Sequence, residues 1–170
     1  MPTAEAALFP LSETDNPKLT VRQTSEKGVG VFALEPIKKG EKIGVYDGAV
    51  YDEDYADWPD EDDPRFAFFS DHIIQIDQEK WRSCVGVMHF MNHSCEPNVG
   101  VRNRCHYYAM RDISAGEEIC WDYEMTERSD WWRMECKCGL DECRKVIGAG
   151  LPVNELQSKY PGFFSEWLLQ

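Results

Sequence analysis

Apolar and polar positions along this chain alternate over short distances and seldom sustain a helical period. The segments "KLTVRQT", "GVFAL", "FFSDHIIQID" and "RCHYYAM" are short, rich in β-branched or aromatic residues and bounded by Gly, Pro, Asn or Asp. That pattern predicts strands. Two further segments share one layout: "ALEPIKKGEKIGVYD" (Ala33 to Asp47) and "AMRDISAGEEICWDY" (Ala109 to Tyr123) both read Ala, three residues, Ile, two residues, Gly-Glu, one residue, Ile. Each predicts a strand end, a glycine turn and a short strand. A single offset of 76 residues is a local solution used twice, not a solenoid. Helix is expected only at "DEDYADW" and in the tail "VNELQSKYPGFFSEWLLQ", where Asn154 is a candidate cap and Pro161 a stop. The predicted class is mainly β with a few short helices.

At 170 residues, 42% of them hydrophobic, the chain can fold around one core. No apolar run approaches the ~18 residues of a membrane span. A soluble, membrane-free chain is therefore expected. The start "MPTAEAALFPLSE" has no positive region and carries Glu5, so no secretory signal is read there. Nucleus and cytoplasm both fit, as does a secreted effector using another signal.

The net charge of −13 disfavours direct contact with nucleic-acid phosphates and favours cationic partners. Residues 52–63 concentrate it, holding eight of the 31 acidic side chains and no Lys or Arg. Such a run is ordinarily a solvated loop; here it could also attract a Lys- and Arg-rich substrate.

Seven cysteines cannot all pair internally, and without an export signal reduced thiols or metal ligation are the better reading. Three of them, Cys136, Cys138 and Cys143, fall within "CKCGLDECR", with Gly139 available for a tight turn. A structural zinc site is four-coordinate, so three ligands are one short. Cys84, Cys95, Cys105, Cys120 or a histidine could complete it, and spacing does not choose. Cys95 sits two residues after His93 in "HFMNHSCEPNV" and could equally be a nucleophile, half a disulfide or a buried apolar side chain.

Five segments in order make the chain resemble a SET domain, the fold of S-adenosylmethionine-dependent protein-lysine methyltransferases: "KGVGVFA" (27–33), "VYDGAV" (45–50), "FMNHSCEPNV" (90–99), "GEEICWDY" (116–123) and "CKCGLDECR" (136–144). The resemblance implies small β-sheets with a knot-like threading and a zinc-bound post-SET segment. It divides the chain into an N-terminal lead (1–18), a SET domain (19–125, with the acidic insertion at about 52–66), a post-SET segment (126–148) and a C-terminal extension (149–170), expected to be helical and to pack through Phe163, Phe164, Trp167 and Leu168. It assigns one structural zinc to Cys95, Cys136, Cys138 and Cys143, which removes Cys95 as a free nucleophile.

Carried over residue by residue, Tyr123 is the catalytic tyrosine and Tyr46 lines the site, although Val45 and Ala49 stand where the family commonly has Glu. Trp121 stands where Phe or Tyr is usual and where a hydroxyl helps set how many methyl groups are added. Its lack of one suggests more than monomethylation. The backbone at Lys27, Gly28, Val29 and Gly30, with Asn92 and His93, is expected at S-adenosylmethionine, and Trp131 or Trp132 near its adenine. Without the resemblance, His93 and Tyr123 would read as core residues. His89 replaces a frequent Arg and Lys145 a frequent Gly. The implied substrate is a lysine in a basic protein or peptide, plausibly a histone tail; the competing reading is a SET-like adaptor without turnover.

Overall fold

The computed structural model describes residues 15–52, 72–148 and 150–170. The chain enters through an antiparallel hairpin, β1 (Leu19–Gln23) and β2 (Val29–Ala33), and continues into β3 (Lys42–Val45). A three-stranded sheet follows, made of β4 (Val50–Asp52), β5 (Ile74–Asp77) and β6 (Lys80–Arg82), with β6 in the middle. A 3-10 turn at Val87–Phe90 leads to β7 (Asn92–His93), β8 (Val99–Arg102), β9 (His106–Ala109) and β10 (Glu118–Trp121). The chain closes with β11 (Met134–Glu135), β12 (Val146–Ile147), helix α1 (Val153–Lys159) and a 3-10 turn at Glu166–Leu169. The expected class, mainly β with short helices, is what the described residues form.

The largest sheet runs β1, β2, β10, β8, β9, β3, with β7 beside β10. β10 pairs antiparallel with β2 but parallel with β7 and β8, which sets Trp121 opposite both His93 and Val99. Parallel neighbours must come from distant parts of the sequence, and this pairing brings "NHSC" alongside "WDY".

The two similar segments prove to be partners of each other. Ile37 and Ile113 exchange both backbone hydrogen bonds at 2.9 Å, Gly116 N–H donates to Ala33 C=O at 2.7 Å, and Gly40 N–H donates to Ala109 C=O at 2.8 Å. Both turn glycines have φ of +83°, a conformation other residues adopt at a cost. Both isoleucines are buried, so one sequence pattern supplies both halves of a mutual lock. Around it Val31, Val99, Val101, Tyr107 and Ile119 are sealed from solvent, each worth roughly 2 kcal/mol as a buried side chain.

The predicted strands at "KLTVRQT", "GVFAL" and "RCHYYAM" appear as β1, β2 and β9. "FFSDHIIQID" is realised as β5, its first four residues lying outside the described ones. Of "DEDYADW", Asp52 ends β4 and the remainder lies outside the described residues, as does most of the acidic run. In the tail, Asn154 does not cap. The helix begins one residue earlier, at Val153, behind Pro152, whose carbonyl accepts from the amides of Glu155 and Leu156 and whose missing N–H costs the helix start no bond. The helix ends at Lys159, two residues before Pro161. No helix among the described residues is long and apolar enough to cross a membrane.

Candidate active site

The end of β10 turns sharply. Asp122, fully buried, caps a 3-10 turn at Tyr123–Met125 by accepting the Glu124 amide at 3.2 Å. Tyr123 then projects between two cavities and lines both. Its hydroxyl donates to the Met91 carbonyl at 3.0 Å, and its ring lies edge-on to His93 and tilted against Trp121, with centroids 5.3 and 4.9 Å away.

The first cavity is a narrow aromatic passage of about 30 Å³, lined by Tyr46, Trp81, Trp121, Trp131, Trp132 and His89 among others. Tyr46 follows β3 and is buried, its hydroxyl donating to the Met88 carbonyl at 3.4 Å. Burial pushes that phenol well above its ordinary pKa, so it stays neutral. Trp121 is held edge-on by Tyr107 at 5.0 Å. His89, stacked on His72 at 4.4 Å, has its pKa pushed down to about 3 by burial and then by the second imidazole. The passage therefore carries no charge at His89 at neutral pH.

The second cavity is a polar cleft of about 360 Å³, within the roughly 300–1,000 Å³ of small-molecule sites. Lys27, Gly28, Asn92, His93 and Tyr123 line it, so four of the expected cofactor-side residues meet here. Val29 and Gly30 lie one layer behind. The Val29 carbonyl accepts from Asn92 Nδ2 at 2.8 Å, and a Cβ on Gly30 would lie 2.7 Å from Glu118 Oε1 and 2.9 Å from Asn92 Nδ2. Gly30 thus permits close packing of these side chains, while Gly28, at φ +71°, has nothing within 4 Å of its Cβ position. Glu118 joins the set by binding Lys27 Nζ at 2.6 Å and Asn92 Nδ2 at 3.0 Å.

Trp131 and Trp132 border the passage with Tyr46 and Trp121; Met134, Glu135 and Lys137 form the facing wall of the cleft. Sequence reasoning passed over those three, though their place immediately around Cys136 was a usable signal. It also passed over Glu118, although that residue lies within "GEEICWDY", and Trp81 and Glu26, which no local motif marks.

The sulfurs of Cys95, Cys136, Cys138 and Cys143 all lie within 4.8 Å of one another, with Cys95 and Cys136 3.7 Å apart. Zn–S bonds of about 2.3 Å at tetrahedral angles separate sulfurs by about 3.8 Å, so this donor set fits a structural zinc. Backbone N–H groups of Arg144 and Lys145 point at Cys95 Sγ (3.5 Å) and Cys143 Sγ (3.4 Å), suiting thiolates. Burial opposes ionisation of Cys138, but the amides of Leu140 and Cys95 and the neighbouring thiols bring its pKa to about 6.

His93 joins the cluster to the turn. Its Nδ1 accepts the Tyr123 amide at 3.2 Å, which leaves the hydrogen of the neutral ring on Nε2, 3.4 Å from Cys95 Sγ. Burial holds its pKa near about 4 despite the Asp122 carboxylate 3.6 Å away. Asp122 in turn binds Arg144, the residue after Cys143, at 2.6 Å.

Comparison with known proteins places this geometry. The sequence model described as "SET domain" matches residues 28–124. The Drosophila melanogaster "Histone-lysine N-methyltransferase Su(var)3-9" is 29% identical over 157 residues, covering 77% of this chain and 25% of the relative. Arabidopsis thaliana SUVH6, solved in complex with SAM, superposes with a TM-score of 0.63 at 21% identity over 78% of this chain and 33% of its own. KRYPTONITE, solved with mCHH DNA, an H3(1-15) peptide and SAH, superposes with a TM-score of 0.55 at 26% identity over 75% of this chain and 29% of its own. This chain thus spans a quarter to a third of the length of these proteins. With more than half of its residues matched, from the glycine turn at Gly28 to Glu124 beyond the buried Asp122, the chain belongs to the SET domain family.

Proposed function

We propose that this protein transfers a methyl group from S-adenosylmethionine to the side-chain nitrogen of a lysine in a protein substrate. The observation that carries the reading is Tyr123, one residue lining both a polar cleft and a tight aromatic passage. When bound, S-adenosylmethionine supplies a methyl group activated on a sulfonium. Lys27, Gly28, Asn92 and His93 are the residues that would hold it.

The passage suits a lysine stem, because its aromatic walls exclude water and offer ring faces to a cation. An attacking amine must be neutral, and desolvation lowers its pKa from about 10.4. Tyr123 has committed its hydroxyl hydrogen to Met91, which leaves its oxygen as an acceptor for an amine N–H. Orienting the amine toward the cleft is the main service a site gives to an in-line displacement.

A histone tail is the favoured substrate class: the KRYPTONITE complex holds an H3 peptide, and the net charge of −13 suits a basic partner better than a phosphate backbone. We assign Asp60, Glu61, Asp62 and Asp63, which lie outside the described residues, to electrostatic attraction of that tail. Trp121 offers an indole N–H, without a partner among the described residues, and no acceptor, so we propose that methylation proceeds past one methyl. A reducing compartment, nucleus or cytoplasm, suits seven free cysteines.

The deciding experiment is transfer of labelled methyl from S-adenosylmethionine to core histones and other basic proteins, with Tyr123→Phe as control and mass spectrometry of the product. Transfer lost in Tyr123→Phe supports the reading. Cofactor binding without transfer to any substrate would make the chain an adaptor, and absence of cofactor binding would overturn the site. Monomethyl-lysine as sole product, extended by Trp121→Phe, would overturn the role given to Trp121.

A further inference from the structure

The tail beyond Gly148 is no loose appendage. Leu156, Tyr160, Phe164, Trp167 and Leu168 are buried in the main core, and three polar groups among them reach the residues flanking Tyr123. Ser165 N–H donates to the Met125 carbonyl at 2.7 Å, and Trp167 Nε1 donates to the Thr126 carbonyl at 3.1 Å. Both acceptors lie just after Tyr123. On its other side, Tyr160 donates its hydroxyl to Asp122 Oδ2 at 2.7 Å, and Lys159 Nζ donates to the Cys95 carbonyl at 3.0 Å. The tail therefore grips the residues before and after the tyrosine that joins the two cavities.

Asp122 shows why this grip matters. It is fully buried, and a buried carboxylate is stable only when its oxygens are satisfied. Oδ1 takes Arg144 at 2.6 Å and the Glu124 amide at 3.2 Å; Oδ2 takes Tyr160. Burial and the Asp122 charge both raise the phenol pKa of Tyr160, so it stays a donor. Arg144 ties the turn to the cysteine cluster, while Tyr160 ties it to the tail. Removing the Tyr160 bond strips Oδ2 of its donor, removing Arg144 leaves Oδ1 with only the Glu124 amide, and the first of these frees the cap of the turn to shift.

Resting on the methyltransferase reading above, we infer that residues 150–170 are a clamp that sets the catalytic turn, with Tyr160 as a positioning residue for Tyr123. The clamp touches neither cavity through Tyr160 itself. It acts through Asp122, so it governs the placing of the Tyr123 hydroxyl rather than binding of cofactor or peptide.

The test compares Tyr160→Phe, which keeps the ring and removes only the hydroxyl, with Lys159→Met, in the full chain. Steady-state kinetics and amide hydrogen exchange at Tyr123 to Glu127 are read together. Tyr160→Phe is expected to lower kcat about tenfold, with KM for S-adenosylmethionine and peptide within about twofold, as slight misplacement of a reacting geometry does. Exchange should accelerate at Tyr123 to Glu127 and stay unchanged in β9. Lys159→Met should show the same pattern more weakly. Unchanged kcat with unchanged exchange overturns the clamp. So does a loss confined to KM, or exchange accelerating equally across β9, which would mark Tyr160 as ordinary core. If the wild-type chain transfers no methyl, the methyltransferase reading fails at that step, while the exchange pattern still decides whether the tail holds the turn.

Discussion

On one side of Tyr123 lies a cleft of about 360 Å³ walled by Lys27, Asn92, His93, Glu135 and Lys137; on the other lies a passage of about 30 Å³ walled mostly by aromatic rings. The cleft keeps charge, as the Lys27–Glu118 pair shows, whereas the passage holds His89 neutral by burial. They also differ in how they are supported. Met134, Glu135 and Lys137 sit beside Cys136 and Cys138, so one wall of the cleft hangs on the cysteine cluster. Tyr46, Trp121 and the neighbouring Tyr107 belong to the main core. A roomy polar site and a narrow, mostly aromatic one that share Tyr123 can be perturbed separately, and each perturbation should leave the other side standing.

Metal removal should break the comparison most severely. Structural zinc contributes on the order of 10 kcal/mol or more to folding of the segment it holds, which exceeds anything the short β11–β12 pair supplies. Chelation should open residues 134–148 to hydrogen exchange and abolish S-adenosylmethionine binding by calorimetry, while β8 and β9 remain protected. Alkylation that abolishes methyl transfer with zinc still bound would instead return Cys95 to the role of nucleophile.

Tyr123→Phe attacks the junction itself. Loss of the hydroxyl should cut kcat about 100-fold, the scale expected when the reacting amine loses its orienting partner. Cofactor affinity and melting temperature should barely move, because the ring contacts to His93, Trp121 and Trp132 remain. A parallel collapse of cofactor affinity would mean that the hydroxyl belongs to the cleft rather than to both sides.

The family resemblance named residues on both sides, Lys27, Gly28, Asn92 and His93 at the cleft and Tyr46 and Trp121 at the passage, and missed others on both, Glu26, Met134, Glu135 and Lys137 at the one and Trp81 at the other. Lys27 and Gly28 are neighbours in the chain, and Asn92, His93 and Cys95 lie within four positions, so local motifs carry them into place together. The repeat was legible too, since Ile37 and Ile113 stand at matching positions in two like segments. The passage draws Tyr46, Trp81, His89, Trp121 and Trp131 from five separate stretches of chain, and no spacing records their meeting. Tyr160 escaped for the same reason: its partner Asp122 is 38 residues away.

A titration sharpens the aromatic side. The pKa of His89 falls from 6.5 to about 3 on folding, chiefly through burial, so between those values the unfolded chain holds a proton that the folded chain lacks. Stability therefore rises with pH across this window and is lost as pH drops below about 6.5, by about 1.4 kcal/mol per unit for one proton. Urea unfolding at pH 6.5 and pH 5 should show about 2 kcal/mol less of this pH dependence in His89→Phe than in the wild type. An identical slope in both would show that His89 is accessible to protons in the folded chain.

Trp131→Ala offers the smallest effect and the finest discrimination. The residue is 50% exposed, and its ring lies 6.4 Å from Trp81 at the passage. If the passage takes lysine as proposed, a half-exposed indole beside it is worth about 0.5–1 kcal/mol toward a passing cation, which corresponds to a two- to fivefold rise in peptide KM. The family resemblance placed Trp131 or Trp132 against adenine, and that placement predicts a weaker cofactor instead. Calorimetry with S-adenosylmethionine and peptide kinetics on this one variant separate the two: a raised peptide KM with unchanged cofactor affinity puts Trp131 on the substrate side. The opposite pattern would mean that the Trp131 ring moves across Tyr123 when the cleft fills, joining two sides that otherwise stand apart.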